Sequence, residues 1–134
     1  MVFRQGSGYL AISGYHVAYM TDIKVKDFIF GMPTRFAGEK AAGLDATIQF
    51  LISGEDGGNF VLHINDGTCT ANEGLEASPT LTLRMSSETY IGMAIGKLKG
   101  PQAFFMRKLR FEGETKLLMK MHSLFPSVNE SDLH

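Results

Sequence analysis

The chain has a single cysteine, Cys69, no tryptophan, and no apolar run near the length of about 20 residues needed to cross a bilayer. One cysteine excludes an internal disulfide and a cysteine-based zinc site assembled within the chain, and a reducing, cytoplasmic setting fits it best. Near the N-terminus a mildly apolar stretch follows Arg4, but Gly6, Ser7, Gly8, Ser13, Gly14 and His16 interrupt it, so no export signal is expected. His16, His63, His122 and His134 lie far apart, without the His-x-x-x-His or Glu-x-x-His spacing that aims two ligands at one metal. Neither a metal nor a cofactor is expected.

Catalytic groupings are equally thin. Cys69 falls in a hairpin strand, where a thiol reads as a small buried hydrophobe rather than a nucleophile. Gly92 to Leu98 is one residue short of phosphate-loop spacing, has no Ser or Thr after Lys97, and lies within a helical pattern. Ser53, His63 and Asp66 do not assemble into a polar dyad, so the chain reads as no enzyme.

What is present is an ordinary globular balance, 44% hydrophobic and 20% charged, with eight Met and ten Phe supplying adaptable side chains that can line an irregular cavity. A chain of 134 residues can bury one sizeable core. The net charge of −1 hides a polarity. Between residues 97 and 120 seven basic residues (Lys97, Lys99, Arg107, Lys108, Arg110, Lys116, Lys120) face two acidic ones (Glu112, Glu114), a local balance of +5. Such a patch attracts phosphate or anionic lipid heads. Because the pI is about 6.4 and the basic residues alternate with core positions, nucleic acid is not an expected partner.

Val25, Phe28, Ile29 and Met32 share one helical face, with Pro33 near its end. Gly38 to Gly43 reads as a loop. Strand alternation follows over Ala46 to Ser53, Phe60 to Asn65, Thr68 to Asn72 and Leu81 to Met85, with Asp66-Gly67 as a two-residue hairpin turn. The wet alternate positions predict a sheet covered on one side only. A helix capped at Ser86 or Ser87 is expected to carry Ile91, Ala94, Ile95 and Leu98 and to end at Gly100. Pro101 opens a short helix with Phe104, Phe105 and Leu109 apolar and Arg107 and Lys108 at its negative end, Leu109 to Glu112 make a brief fifth strand, and a last helix carries Leu117, Leu118, Met121, Leu124 and Phe125 up to Pro126. The expected architecture is α+β, a mainly antiparallel five-stranded sheet with helices on one face. Residues 1–21 read as an extension, 22–126 as the domain and 127–134 as a frayed tail.

The run Gly96-Lys97-Leu98-Lys99-Gly100-Pro101-Gln102-Ala103-Phe104-Phe105-Met106-Arg107-Lys108-Leu109, then Gly113, then Leu117 to Leu124 with Met119-Lys120, closely resembles the sterol carrier protein family, the non-specific lipid-transfer domain. Leu44 to Phe50, Asn59 to Gly67 and Pro79 to Ser86 extend the resemblance to about residues 24–125. It implies a five-stranded sheet, helices on one face, and an apolar tunnel between them for fatty acids, acyl-CoA, phospholipids or sterols. Carried over residue by residue, it implies a lining of Ile91, Ile95, Phe104, Phe105, Leu117, Leu118 and Met121, with Gln102 near the bound head group. The family often has Gly immediately before its Lys-Leu pair, where this chain has Arg107. With Lys97 and Lys108, Arg107 is expected to favour an anionic head group or a transient contact with an anionic membrane surface. The expected function is therefore non-catalytic binding or transfer of a lipid by a monomer or weak homodimer. The alternative is an interaction or assembly module, dimeric in one form, for an enzyme of a lipid or quinone pathway.

Overall fold

Alternating apolar and polar residues build five strands, β1 (Asp45–Ser53), β2 (Gly58–Asn65), β3 (Thr68–Glu73), β4 (Leu81–Ser86) and β5 (Leu109–Gly113). The computed structural model describes residues 24–126; the expected extension (residues 1–21) and the tail (127–134) lie outside the described residues. The strands form one sheet in the order β3-β2-β1-β4-β5. Three of the four pairings are antiparallel and the fourth, β1 with β4, is parallel. Register places Phe50 beside Phe60 and Leu83, and Ile48 beside Leu62 and Leu81, so one face of the sheet is continuously apolar. At the β2–β3 hairpin Asp66 and Gly67 both have positive φ, 43° and 89°, as a primed turn demands. The Asp66 carboxylate also accepts the Gly43 N–H at 2.8 Å, which ties the turn to the start of β1.

Among the described residues four helices cover the apolar face: α1 (Val25–Arg35), α2 (Ser87–Ala94), α3 (Gly100–Phe105) and α4 (Thr115–Leu124). Val25, Phe28, Ile29 and Met32 of α1, Tyr90 of α2, Ala103 of α3, and Leu117 and Leu124 of α4 join the strand residues in one buried cluster. The ring of Tyr90 meets Phe50 edge-on at 5.9 Å, and its hydroxyl donates to the Met32 sulfur at 3.4 Å. Burial raises the Tyr90 phenol above its ordinary pKa, against a smaller lowering by Arg35. The expected loop at 38–43 contains a 3-10 turn, Gly38–Ala41.

Two expectations are corrected. The helix after Ser86 ends at Ala94, well short of Gly100, because Gly96 adopts φ 82° and closes it. The Gly96 N–H donates to Met93 O and the Lys97 N–H to Gly92 O, the paired bonds that terminate a helix through a left-handed residue. Ser86 is the cap, accepting the Thr89 N–H at 3.1 Å. The second correction concerns the outer face of the sheet, which is partly covered. Gln49, Val61 and Thr82 project there yet are buried, and the chain leaving β3 is held against Gln49 on its way to β4. The Gln49 amide donates to Gly74 O at 2.9 Å and Phe60 O at 3.0 Å, while its carbonyl accepts the Glu76 N–H at 2.7 Å.

Gln49 is only 3% exposed, so its loss strands buried partners rather than returning them to water. Gln49→Leu is expected to lower unfolding stability by about 2–4 kcal/mol, read as a reduced denaturant midpoint. Amide exchange should accelerate first at Glu76, whose N–H loses its acceptor.

Candidate functional site

The apolar residues not consumed by the core gather on α2, α3, β5 and α4. Along α4, Leu117 and Leu124 are buried, while Leu118 and Met121 are half-buried against the same core. Ile91 of α2 and Ile95 at its end are also half-buried there. α3 is six residues long, ending at Phe105 and so short of the expected Arg107, Lys108 and Leu109, and buries only Ala103. Phe104 is consequently 51% exposed and Phe105 85% exposed. Phe104 is not isolated, since its ring lies 5.7 Å from that of Phe111 on β5. Gln102 is exposed, and its carbonyl reaches back toward the Lys99 N–H at 3.5 Å, so part of its bonding capacity is committed to the start of α3.

Of the eight residues expected to contact lipid, Leu117 is core, Ile91, Ile95, Leu118 and Met121 are each half-buried against the core, and Gln102, Phe104 and Phe105 are exposed. Sequence reasoning missed Phe111, Leu98 and Met93, which pack half-buried against the same core, and Met106 and Met119, which are exposed. Phe111 carried a usable signal, because it alternates with Arg110 and Glu112 and so shares a face with Leu109. Half-buried Met and Phe side chains can rearrange around an apolar guest more readily than close-packed ones.

The basic residues divide. Arg107 and Lys108 border a groove at the end of the sheet where β1 and β4 finish, whereas Lys97 closes α2 and is not part of that groove. Arg107 has φ 60°, and the same terminating pattern seen at Gly96 recurs around it. Its N–H donates to Phe104 O at 3.0 Å and the Lys108 N–H donates to Ala103 O at 2.8 Å. Arg107 therefore occupies the left-handed position that ends α3, where a glycine avoids clash between Cβ and the carbonyl. The departure noticed in the sequence is thus a backbone position suited to glycine but filled by a cation.

Other polar groups do not converge. His63 pairs with Thr47 in register, and Ser53 lies six residues further along β1, about 20 Å at strand rise. The Asp66 carboxylate is occupied by the Gly43 amide. Cys69 is half-buried on β3, and burial pushes its thiol up to about 11. Among the described residues no group of three or more His, Cys, Asp or Glu side chains is placed to hold a metal ion, and no helix is long and apolar enough to cross a membrane.

Residues 33–126 match the family described as SCP-2 sterol transfer. Hydroxysteroid dehydrogenase-like protein 2 from Bos taurus is 32% identical over 85 residues, covering 63% of this chain and 20% of the relative. The chain spans about one-fifth of the length of the curated relatives it matches. Among solved structures, the sec-alkylsulfatase Pisa1 from Pseudomonas sp. superposes with a TM-score of 0.71 at 21% identity, over 81% of this chain and 17% of the sulfatase. Palmitated SCP2L2 from Aedes aegypti gives a TM-score of 0.63 at 17% identity, over 81% of this chain and 99% of that one. At these identities the structural likenesses establish the fold.

Two outcomes follow from the local geometry. Arg107→Gly relieves the left-handed strain, offset in part by the greater freedom of glycine in the unfolded chain, and should stabilise by about 0.5–1 kcal/mol, read as a Tm rise of a few degrees. Cys69 should react with iodoacetamide at pH 8 about a hundredfold more slowly than the same thiol in the denatured chain, from the raised pKa. The folded thiol holds its proton more tightly than the unfolded one, so its contribution to stability is complete below about pH 9 and is lost as the pH rises toward 11.

Proposed function

The chain belongs to the SCP-2 sterol transfer family, and from that premise we propose that it binds or transfers a lipid without catalysing a reaction on it. The observation that carries this reading is that Ile91, Ile95, Leu118 and Met121 each pack half-buried against the core while Phe104 and Phe105 stay exposed. In this reading the tail lies among Ile91, Ile95, Leu117, Leu118 and Met121. Phe104 and Phe105 flank the mouth, Gln102 faces the head group, and Lys97, Arg107 and Lys108 meet an anionic head or membrane surface. Residues 22–126 are the functional unit.

The energetics suit a long acyl chain. Removing about fifteen methylenes from water contributes about 12 kcal/mol. Association costs of about 4 kcal/mol or more leave affinity near the micromolar range, about 8 kcal/mol. A relative of this fold is described as complexed with a C16 fatty acid, palmitate, which makes that chain length the first probe.

A second reading is favoured by one observation. The curated relatives are about five times longer than the segment this chain matches, and their name is that of a dehydrogenase-like protein. A ubiquinone synthesis protein, UbiJ-SCP2, shares the fold with a TM-score of 0.52 at 9% identity. In this reading the domain is an interaction or assembly module that offers its apolar surface to an enzyme, and it forms dimers.

Native mass spectrometry of the delipidated chain with palmitate should show a one-to-one complex. Leu118→Asp and Met121→Asp should each weaken palmitate binding at least tenfold while leaving the circular dichroism spectrum intact, because both positions lie above the core rather than within it. Absence of any complex, together with concentration-dependent dimerisation, would favour the assembly module.

A further inference from the structure

The groove bordered by Arg107 and Lys108 lies at the end of the sheet where β1 and β4 finish, β5 begins and α2 starts, and is an open cleft of about 640 Å³. That is within the range of small-molecule sites. None of the eight residues assigned to the lipid wall lines it. Four cations do, Arg84, Arg107, Lys108 and Arg110, against one carboxylate, Glu88. Glu112, outside the lining, meets Arg84 at 3.4 Å, with both side chains more than half exposed. Such a pair is weak in water and exchanges easily for a better acceptor.

Two features separate this groove from an ordinary solvated basic face. Arg84 and Arg110 are direct cross-strand partners, and like charges set opposite one another on a sheet repel. Arg107 holds a left-handed backbone at the helix end where α2 uses Gly96. Each feature disfavours the fold locally, and each delivers a guanidinium to the same groove. An oxyanion there converts the repulsion into attraction, and planar guanidinium forks match phosphate oxygens bidentately. Asn59, also in the lining, adds an amide as a neutral donor.

We propose that this groove binds a phosphate-bearing ligand, through Arg84, Arg107, Lys108 and Arg110, presented either by a soluble phosphate ester or diphosphate or by a lipid head group. Two of these residues, Arg107 and Lys108, also serve in the head-group contact proposed above. The groove's chemistry does not require a bound tail, because none of the apolar residues assigned to the tail lines it.

The test uses the full chain, with pyrophosphate as the soluble probe and vesicles of phosphatidate in phosphatidylcholine, against pure phosphatidylcholine, as the lipid probe. Calorimetric titration at low salt should show pyrophosphate binding that weakens as salt rises and falls at least tenfold in both Arg110→Gln and Arg107→Gly. In phosphate-free buffer both variants should melt no lower than the parent, since one removes the cross-strand repulsion and the other the backbone strain. That combination, equal or greater stability with lost anion affinity, distinguishes a site from a structural role. Binding confined to phosphatidate vesicles and lost in the same two variants assigns the source to a lipid head. Leu118→Asp should keep pyrophosphate affinity and Arg110→Gln should keep palmitate affinity, which separates failure of this site from failure of the lipid wall. If neither pyrophosphate nor phosphatidate binding depends on Arg110 and Arg107, the proposal is overturned.

Discussion

The amide of Gln49 holds together parts of the chain that strand alternation alone would leave separate. β1 and β4 run parallel, so the chain between them must return to the same end of the sheet after completing the β2–β3 hairpin. It does so through residues 74–80, and Gln49 binds the first of these through Gly74 O and the third through Glu76 N–H. A buried amide with its carbonyl and its nitrogen both engaged has no better alternative partner, so the position of this crossing is well defined. With the crossing defined, β4 aligns beside β1, β5 follows β4, and α2, α3 and α4 are all delivered to the opposite face. The half-buried apolar residues and the basic groove thus both depend on one side chain on the central strand.

Helix termination then divides the surface. α2 and α3 end in the same hydrogen-bonded pattern, one through Gly96 and the other through Arg107. Stopping α2 at Ala94 leaves Ile95 and Leu98 half-buried in a connection rather than locked on a helix face. Stopping α3 at Phe105 leaves that side chain beyond the core and turns the next residues toward the groove at the end of the sheet. A three-residue stretch, Phe105 to Arg107, therefore passes from an apolar surface to a cationic one.

Much of this was legible in the sequence. The five strands, the Asp66-Gly67 turn, the Ser86 cap and the inward faces of α1 and α4 follow from period and turn chemistry, which act over a few residues. Strand order was not legible, because the β1–β4 pairing is decided by a crossing whose anchor, Gln49, looks like an ordinary polar residue on a wet face. The end of α2 was misplaced for a similar reason. Ile95 and Leu98 continue the helical spacing, and only the left-handed geometry at Gly96 shows that the chain has already turned. Arg107 was recognised as a departure from a resemblance, yet its placement with Arg84 and Arg110 needed the register of β4 and β5. Residues on three separate elements cannot be assembled by spacing along one chain.

The two ends of the described region have a relation that bears on how this unit sits in any longer chain. The Ala37 N–H donates to Leu124 O at 2.8 Å, and the rings of Phe36 and Phe125 lie 5.3 Å apart. Residue 24 is then one 11-residue helix away from residue 125, about 16 Å along α1. The incoming end is held at the far end of α1, where the Val25 N–H donates to the Asp56 carboxylate at 2.9 Å and Lys26 lies 3.4 Å from Glu73 at the end of β3. Tension applied to the two ends therefore loads two separate places, the β3 edge beside Lys26 and the Phe36–Phe125 contact, with α1 as the strut between them.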